Sequence, residues 1–103
     1  LPGCMTPSEI FAARRAGAEA VKIFPAEIVG VAGVKALRSV LPRDLRIMPV
    51  GGISPENMGA FARAGADGFG IGSALYKPGM TLDEIARAAE RFVAAGNEAF
   101  GAA

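Results

Sequence analysis

The sequence predicts an α/β fold of about four parallel strands alternating with helices, and three observations carry that expectation. Short apolar stretches bounded by Pro and Gly alternate with amphipathic ones. A unit of turn, helix and strand recurs at an offset of 48 residues: Thr6-Pro7 aligns with Ser54-Pro55, and Ala16-Gly17-Ala18-Glu19 with Ala64-Gly65-Ala66-Asp67. The same register pairs Gly3 with Gly51 and Ile23 with Ile71. Length is the third observation. The 103 residues suit four strands and four helices, whereas a closed eight-stranded barrel needs roughly 200 or more. Half of a (β/α)8 barrel over residues 1–103 is the economical expectation, with an open doubly wound sheet of flavodoxin type as its rival.

Element by element, Leu1-Pro2-Gly3-Cys4 reads as the end of a strand, and a chain opening on Leu there is expected to lack preceding residues. Thr6 is placed as N-cap, Pro7 as first helical residue and Glu9 as the partner in a capping box; the helix runs to about Ala16 and stops at Gly17. Ala20 to Phe24 is a short strand, expected to be buried on both faces and ended by Pro25, with Lys22 as its one charged member. A helix fits Gly33 to Val40, with Val34, Leu37 and Leu41 on one face and Lys35 and Arg38 on another. Leu45 to Val50 is the next strand. The turn Gly51 to Asn57 leads into a helix that Gly65 terminates, and Gly68 to Gly72 is a glycine-rich fourth strand. Thr81 caps a last helix with Ile85, Ala88, Ala89, Phe92 and Val93 facing inward. Cys4 and the four methionines read as packing residues, and Tyr76 as a loop anchor.

Composition narrows the function. Eleven basic and ten acidic residues are spread along the chain, so no concentrated field is present to hold nucleic acid or an anionic membrane. No apolar run approaches the roughly 18 residues of a membrane span. With no His and one Cys, the chain excludes an internal disulfide and a Ser-His-Asp triad, and a reducing cytoplasm fits. Small-molecule chemistry is the remaining default.

Two features could carry that chemistry. Lys22 lies among Val21, Ile23 and Phe24, where partial loss of hydration disfavours an ammonium and favours the free amine that attacks a ketone. The alternative is that Lys22 leans off the strand end into water. Lys35 and Lys77 read as solvated. Gly51-Gly52 and Gly70-Ile71-Gly72-Ser73 follow successive strands, where bare backbone N–H groups, a helix start at Ser54-Pro55 and the Ser73 hydroxyl could cradle a phosphate. Either turn alone could equally serve tight packing; together they favour an anion. Glu27 and Glu56 are further polar groups near strand ends, Glu56 reading first as a helix-dipole partner.

The runs Pro2-Gly3-Cys4 with Thr6-Pro7, Lys22-Ile23-Phe24-Pro25-Ala26-Glu27, Val50 to Asn57, and Gly70 to Tyr76 resemble, in order, the class I aldolases for 2-keto-3-deoxy-6-phosphogluconate and 2-keto-3-deoxy-6-phosphogalactonate. Within them, the Val-Gly-Gly turn and the Gly-Ser-Ala-Leu-Tyr ending look more like the galactonate enzymes. The resemblance implies the C-terminal half of a TIM barrel that is a homotrimer at full length, uses no metal or other cofactor, and splits a phosphorylated keto-deoxy sugar acid into pyruvate and glyceraldehyde 3-phosphate. It makes Lys22 the Schiff-base lysine, gives Gly51, Gly52, Gly70, Gly72 and Ser73 to the phosphate, and places Phe24 and Pro25 around the pyruvate-derived part. It also implies a proton-shuttling glutamate, an arginine and a threonine from a first half, positions with no counterpart here. A non-catalytic phosphate-binding half-barrel and another phosphosugar barrel enzyme are the competing readings.

Overall fold

In the computed structural model, which describes residues 1–101, three strands form one parallel sheet in sequential order: β1 (Gly3–Cys4), β2 (Ala20–Ile23) and β3 (Arg46–Pro49). The register sets Gly3 and Met48 on either side of Lys22, and Cys4 and Pro49 on either side of Ile23. Each crossover carries a helix, α1 (Pro7–Arg15) after β1 and α2 (Ala26–Val40) after β2. Helices α3 (Met58–Ala64) and α4 (Leu82–Ala99) complete the chain. Among the described residues, no helix is long and apolar enough to cross a membrane.

Burial alternates along β2 and β3, contrary to the expectation that the Ala20–Phe24 strand is buried on both faces. Val21, Ile23, Ile47 and Pro49 are buried, whereas Lys22 and Met48 are only half-buried and Arg46 is exposed. The buried face packs in one cluster with Ile10 of α1, Val34 and Leu37 of α2, Phe61 of α3 and Phe92 of α4. Withdrawing each such side chain from water contributes about 2 kcal/mol. Among the described residues, no helix covers the other face, which carries Lys22 and Met48. One covered and one open face is what half a barrel would present, its open face being the barrel interior.

The expected fourth strand is reduced to a single parallel bridge between Val50 and Gly70. The reason lies in β3. The Ile47 carbonyl accepts from the Asp67 N–H at 2.9 Å, but the Ile47 N–H donates back to the Asp67 carboxylate, also at 2.9 Å, so a side chain takes the place of a neighbouring carbonyl. Two residues on, the Pro49 carbonyl accepts from Gly70 at 3.0 Å, and proline has no N–H to return. The segment still lies beside β3, with Phe69 held edge-on to Phe61 at 6.5 Å and 5.7 Å from Phe100.

Other expectations also shift. Helix α2 begins at Ala26, seven residues before Gly33, because the Pro25 carbonyl accepts from both Ile28 and Val29 and so opens the helix. Gly30, at φ 74° and ψ 170°, breaks it into two segments. On α4 the buried residues are Ala88 and Phe92, with Ala95 and Ala99 packed against the same core, while Val93 is 63% exposed. Met5 and Tyr76 are exposed too, so neither is the packing or anchoring residue expected. Cys4 and Met58 are buried as expected.

Candidate functional site

The C-terminal ends of β2, β3 and the bridge at Gly70 meet along one rim, the side on which parallel α/β sheets hold their ligands. Local bonds build this rim. The Val50 N–H donates to the Ile23 carbonyl at 2.8 Å, and the Val50 carbonyl accepts from the Ala26 N–H at 2.8 Å, so the exits of β2 and β3 are stitched together. A hollow of about 210 Å³ opens there, lined by Phe24, residues 50–53 and residues 70–74. A larger hollow of about 600 Å³, lined by Lys35, Arg38 and Arg43 among others, sits at the opposite, N-terminal ends of the strands. Its Arg38 is already committed to the Leu45 and Pro42 carbonyls and to Asp67.

Six of the eight nominated residues line the rim hollow: Phe24, Gly51, Gly52, Gly70, Gly72 and Ser73. Its lining carries no charged side chain, and the polar groups it offers are mainly backbone. Among the described residues, no backbone acceptor takes the N–H groups of residues 52, 53 and 71–74, which leaves donors for an anion.

Lys22 and Pro25 are not in that lining. Lys22 is half-buried on the open sheet face, and its Nζ stands 5.3 Å from the centroid of the Phe24 ring. Phe24 thus touches both parts, facing the amine and walling the hollow. Pro25, which follows a cis peptide bond, occupies the N-cap position of α2.

The glycine pair is required by its backbone conformation. Gly51 and Gly52 have φ of 105° and 70°, a region that disfavours any side chain. A Cβ on Gly51 would lie 2.5 Å from Glu27 Oε1 and 3.3 Å from the Phe24 ring, and one on Gly52 would lie 2.9 Å from Glu27 Oε2. Glu27, the first-turn carboxylate of α2, therefore lies across the turn. Glu56 is exposed and lies outside the lining of the rim hollow.

Regular helix begins at Met58, four residues later than Ser54, yet the start at Ser54 is legible in its bonds. The Ser54 N–H donates to Asn57 Oδ1 at 2.9 Å, and the Asn57 N–H donates to Ser54 Oγ at 3.3 Å. This reproduces the Thr6–Glu9 capping box, in which the Thr6 N–H donates to Glu9 Oε1 at 3.0 Å and the Glu9 N–H to Thr6 Oγ1 at 3.3 Å. A tight turn, with Asn57 N–H donating to the Ser54 carbonyl, then separates the box from α3. The substitution of an amide for a carboxylate has a use: Asn57 Nδ2 donates to the Gly52 carbonyl at 2.8 Å, which a carboxylate could not do. Sequence reasoning did not single out Asn57, Val50 or Ile53. The signal for Asn57 was its place in the repeat, opposite Glu9.

Among the described residues, no group of three His, Cys, Asp or Glu is placed to hold a metal ion.

Comparison with known proteins gives a consistent picture. A family model described as KDPG and KHG aldolase matches residues 1–90. The 2-dehydro-3-deoxy-6-phosphogalactonate aldolase of Escherichia coli is 46% identical over 98 residues, covering 95% of this chain and 48% of that protein. A solved structure described as native KDPGal superposes with a TM-score of 0.93 at 45% identity, over 97% of this chain and 48% of its own. A designed cube-shaped cage, built by fusing symmetric oligomeric domains, matches with a TM-score of 0.92 at 46% identity, over 95% of this chain and 36% of its own. This chain thus spans about half the length of the curated relatives it matches.

Proposed function

The chain belongs to the KDPG and KHG aldolase family, and from that premise we propose that it supplies the lysine and phosphate-binding parts of a class I aldolase acting on 2-keto-3-deoxy-6-phosphogalactonate. The observation that carries this reading is the placement of Lys22 at one strand exit, next to a ring that also walls a hollow built from two glycine turns. Its similarity to a phosphogalactonate aldolase over nearly the whole chain supports the galactonate substrate over the gluconate one.

In this reading the neutral Lys22 amine adds to the substrate's C2 ketone through its nitrogen lone pair, and the carbonyl oxygen leaves as water. The protonated imine so formed accepts the electron pair of the C3–C4 bond as that bond breaks. The C4 hydroxyl gives its proton to a base and becomes the aldehyde of glyceraldehyde 3-phosphate. The enamine left behind takes a proton at C3, and water releases pyruvate and the free lysine. The resemblance gives the base and the carboxylate-binding groups to a glutamate, an arginine and a threonine with no counterpart in residues 1–103. The residues here bind and orient: residues 52, 53 and 71–74 offer N–H donors to the phosphate, with Ser73 beside them. No metal or cofactor enters the scheme.

A homotrimeric assembly belongs to the same proposal, supported by a relative used as a symmetric oligomeric domain and by the apolar side chains Ile28, Val31 and Val40 exposed on α2. A cytoplasmic location accords with the single buried, unpaired Cys4.

Incubation with pyruvate and borohydride tests the imine. A mass increase of about one reduced pyruvate per chain, mapped to Lys22 and absent from Lys22→Met, is expected. A lack of adduct on this chain and on the chain joined to a complementary half would defeat the aldolase reading. It would favour phosphate binding without catalysis, for which the absence of Lys22 from the hollow's lining speaks.

A further inference from the structure

We propose that Asn57 is a positioning residue for the rim hollow: its side chain fixes the Gly52–Ile53 peptide so that the Ile53 N–H faces the hollow as a donor for an anion. Asn57 holds the backbone on both sides of Ile53. Its Nδ2 donates to the Gly52 carbonyl at 2.8 Å, and its Oδ1 accepts from the Ser54 N–H at 2.9 Å. The Gly52–Ile53 peptide is trans, so its carbonyl and its N–H point in opposite directions. The carbonyl is turned to Asn57, which lies outside the lining. The N–H is therefore turned toward the hollow that Gly52 and Ile53 line.

Two further observations support this assignment. Ile53 is only 3% exposed, yet its N–H meets no acceptor among the described residues. A donor left unpaired at a buried residue is uncommon in folded proteins, and a bound anion would complete it. Gly52 supplies the reason for a clamp. At φ 70° and without a side chain, it leaves the following peptide free to rotate, so the orientation must be imposed from outside the turn. The assignment deepens the phosphate reading of the hollow and rests on it for its purpose, whereas the orientation itself needs no ligand.

Two variants separate the clamp from the side effects of removing it. Asn57→Asp keeps an acceptor for the Ser54 N–H and loses the donor, but adds a charge; Asn57→Ala loses the donor and adds none. Amide nitrogen relaxation of the unliganded protein reads the Ile53 N–H directly. Its order parameter is expected at about 0.85 in the parent and below about 0.6 in both variants, with the α3 amides unchanged in Asn57→Asp. Titration with inorganic phosphate, followed through the amide shifts, should show affinity about ten-fold lower in both variants, while residues 71–74 still respond.

An Ile53 order parameter that stays at the parent value in both variants would overturn the proposal, because the turn would then hold itself. A change confined to one variant would do the same, tracing to the added charge in Asn57→Asp or to the lost cap in Asn57→Ala. So would a loosened Ile53 with undiminished phosphate affinity. If the parent shows no response to phosphate at residues 52, 53 and 71–74, the phosphate reading fails, and the order parameters still decide the clamp.

Discussion

At the scale of single residues, the two glycine turns are not equivalent, although both read alike in the sequence. Gly51 combines φ of 105° with a Glu27 oxygen 2.5 Å from its absent Cβ, whereas Gly72 has ordinary φ and nothing within 4 Å. Gly51→Ala is therefore expected to lower stability by about 1–3 kcal/mol, and Gly72→Ala by less than about 0.5 kcal/mol, as read from urea unfolding. Equal losses would mean that the turn relaxes around the new methyl. Asn57→Asp poses a finer question, since it keeps the acceptor for the Ser54 N–H and removes the donor to the Gly52 carbonyl. We expect weaker phosphate binding, seen by titration calorimetry, with α3 intact by circular dichroism. Glycines in these turns were visible from composition and spacing. The positive φ that ties one of them to glycine was not, and neither was its neighbour Glu27, which is near Lys22 in sequence and meets Gly51 only through the fold.

At the scale of elements, the threonine-capped starts of α1 and α4 were the most legible features and the last strand the least, while the starts of α2 and α3 were misplaced. The Thr6-Pro7-Ser8-Glu9 pattern specifies its capping box through neighbours alone, and the structure forms it in full. Thr6→Ala should cost about 1 kcal/mol in the urea midpoint. The same box depresses the Glu9 carboxyl, chiefly through the Met5 N–H and then the Thr6 hydroxyl and N–H. A depressed carboxyl contributes stability that is present above its ordinary value and lost as pH falls through its lower folded value. Asp44, lowered mainly by its hydrogen bond from Arg14, acts with the same sign. Unfolding midpoints should thus fall between about pH 5 and the acid limit, and Glu9→Gln should flatten part of that fall. If Glu9→Gln leaves the pH dependence unchanged, the box does not report on folding. The fourth strand failed for a nonlocal reason: its glycines and apolar residues suit a strand, but the partner edge of β3 presents a proline and an N–H already given to Asp67. Pro25 ends the β2 stretch as expected and also opens α2, a second role that proline at a strand's end does not announce in sequence.

At the scale of the whole molecule, the open sheet face determines behaviour in solution. Lys22 and Met48 are half-buried there, and Phe24 is 48% exposed at its end. Sedimentation velocity should therefore show the monomer giving way to larger species as concentration rises; one monomeric boundary at every concentration would mean that water satisfies this face. The half-barrel architecture was readable from the repeat and from length, because a parallel sheet leaves few other ways to connect alternating strands and helices. The rim site was readable in part for the same reason, since strand ends are fixed once the elements are placed.

The grip of Asp67 on Ile47 has a consequence that belongs to time rather than to shape. The Ile47 amide proton is bound by a carboxylate on the next segment, while the N–H of Arg46, on the same strand, is held by the Glu19 carbonyl before β2. In heavy water the two amides should report different openings, Arg46 exchanging with the β2–β3 pairing and Ile47 whenever the final segment swings away. Two adjacent protons would then record separate clocks, and Asp67→Ala would quicken only one of them.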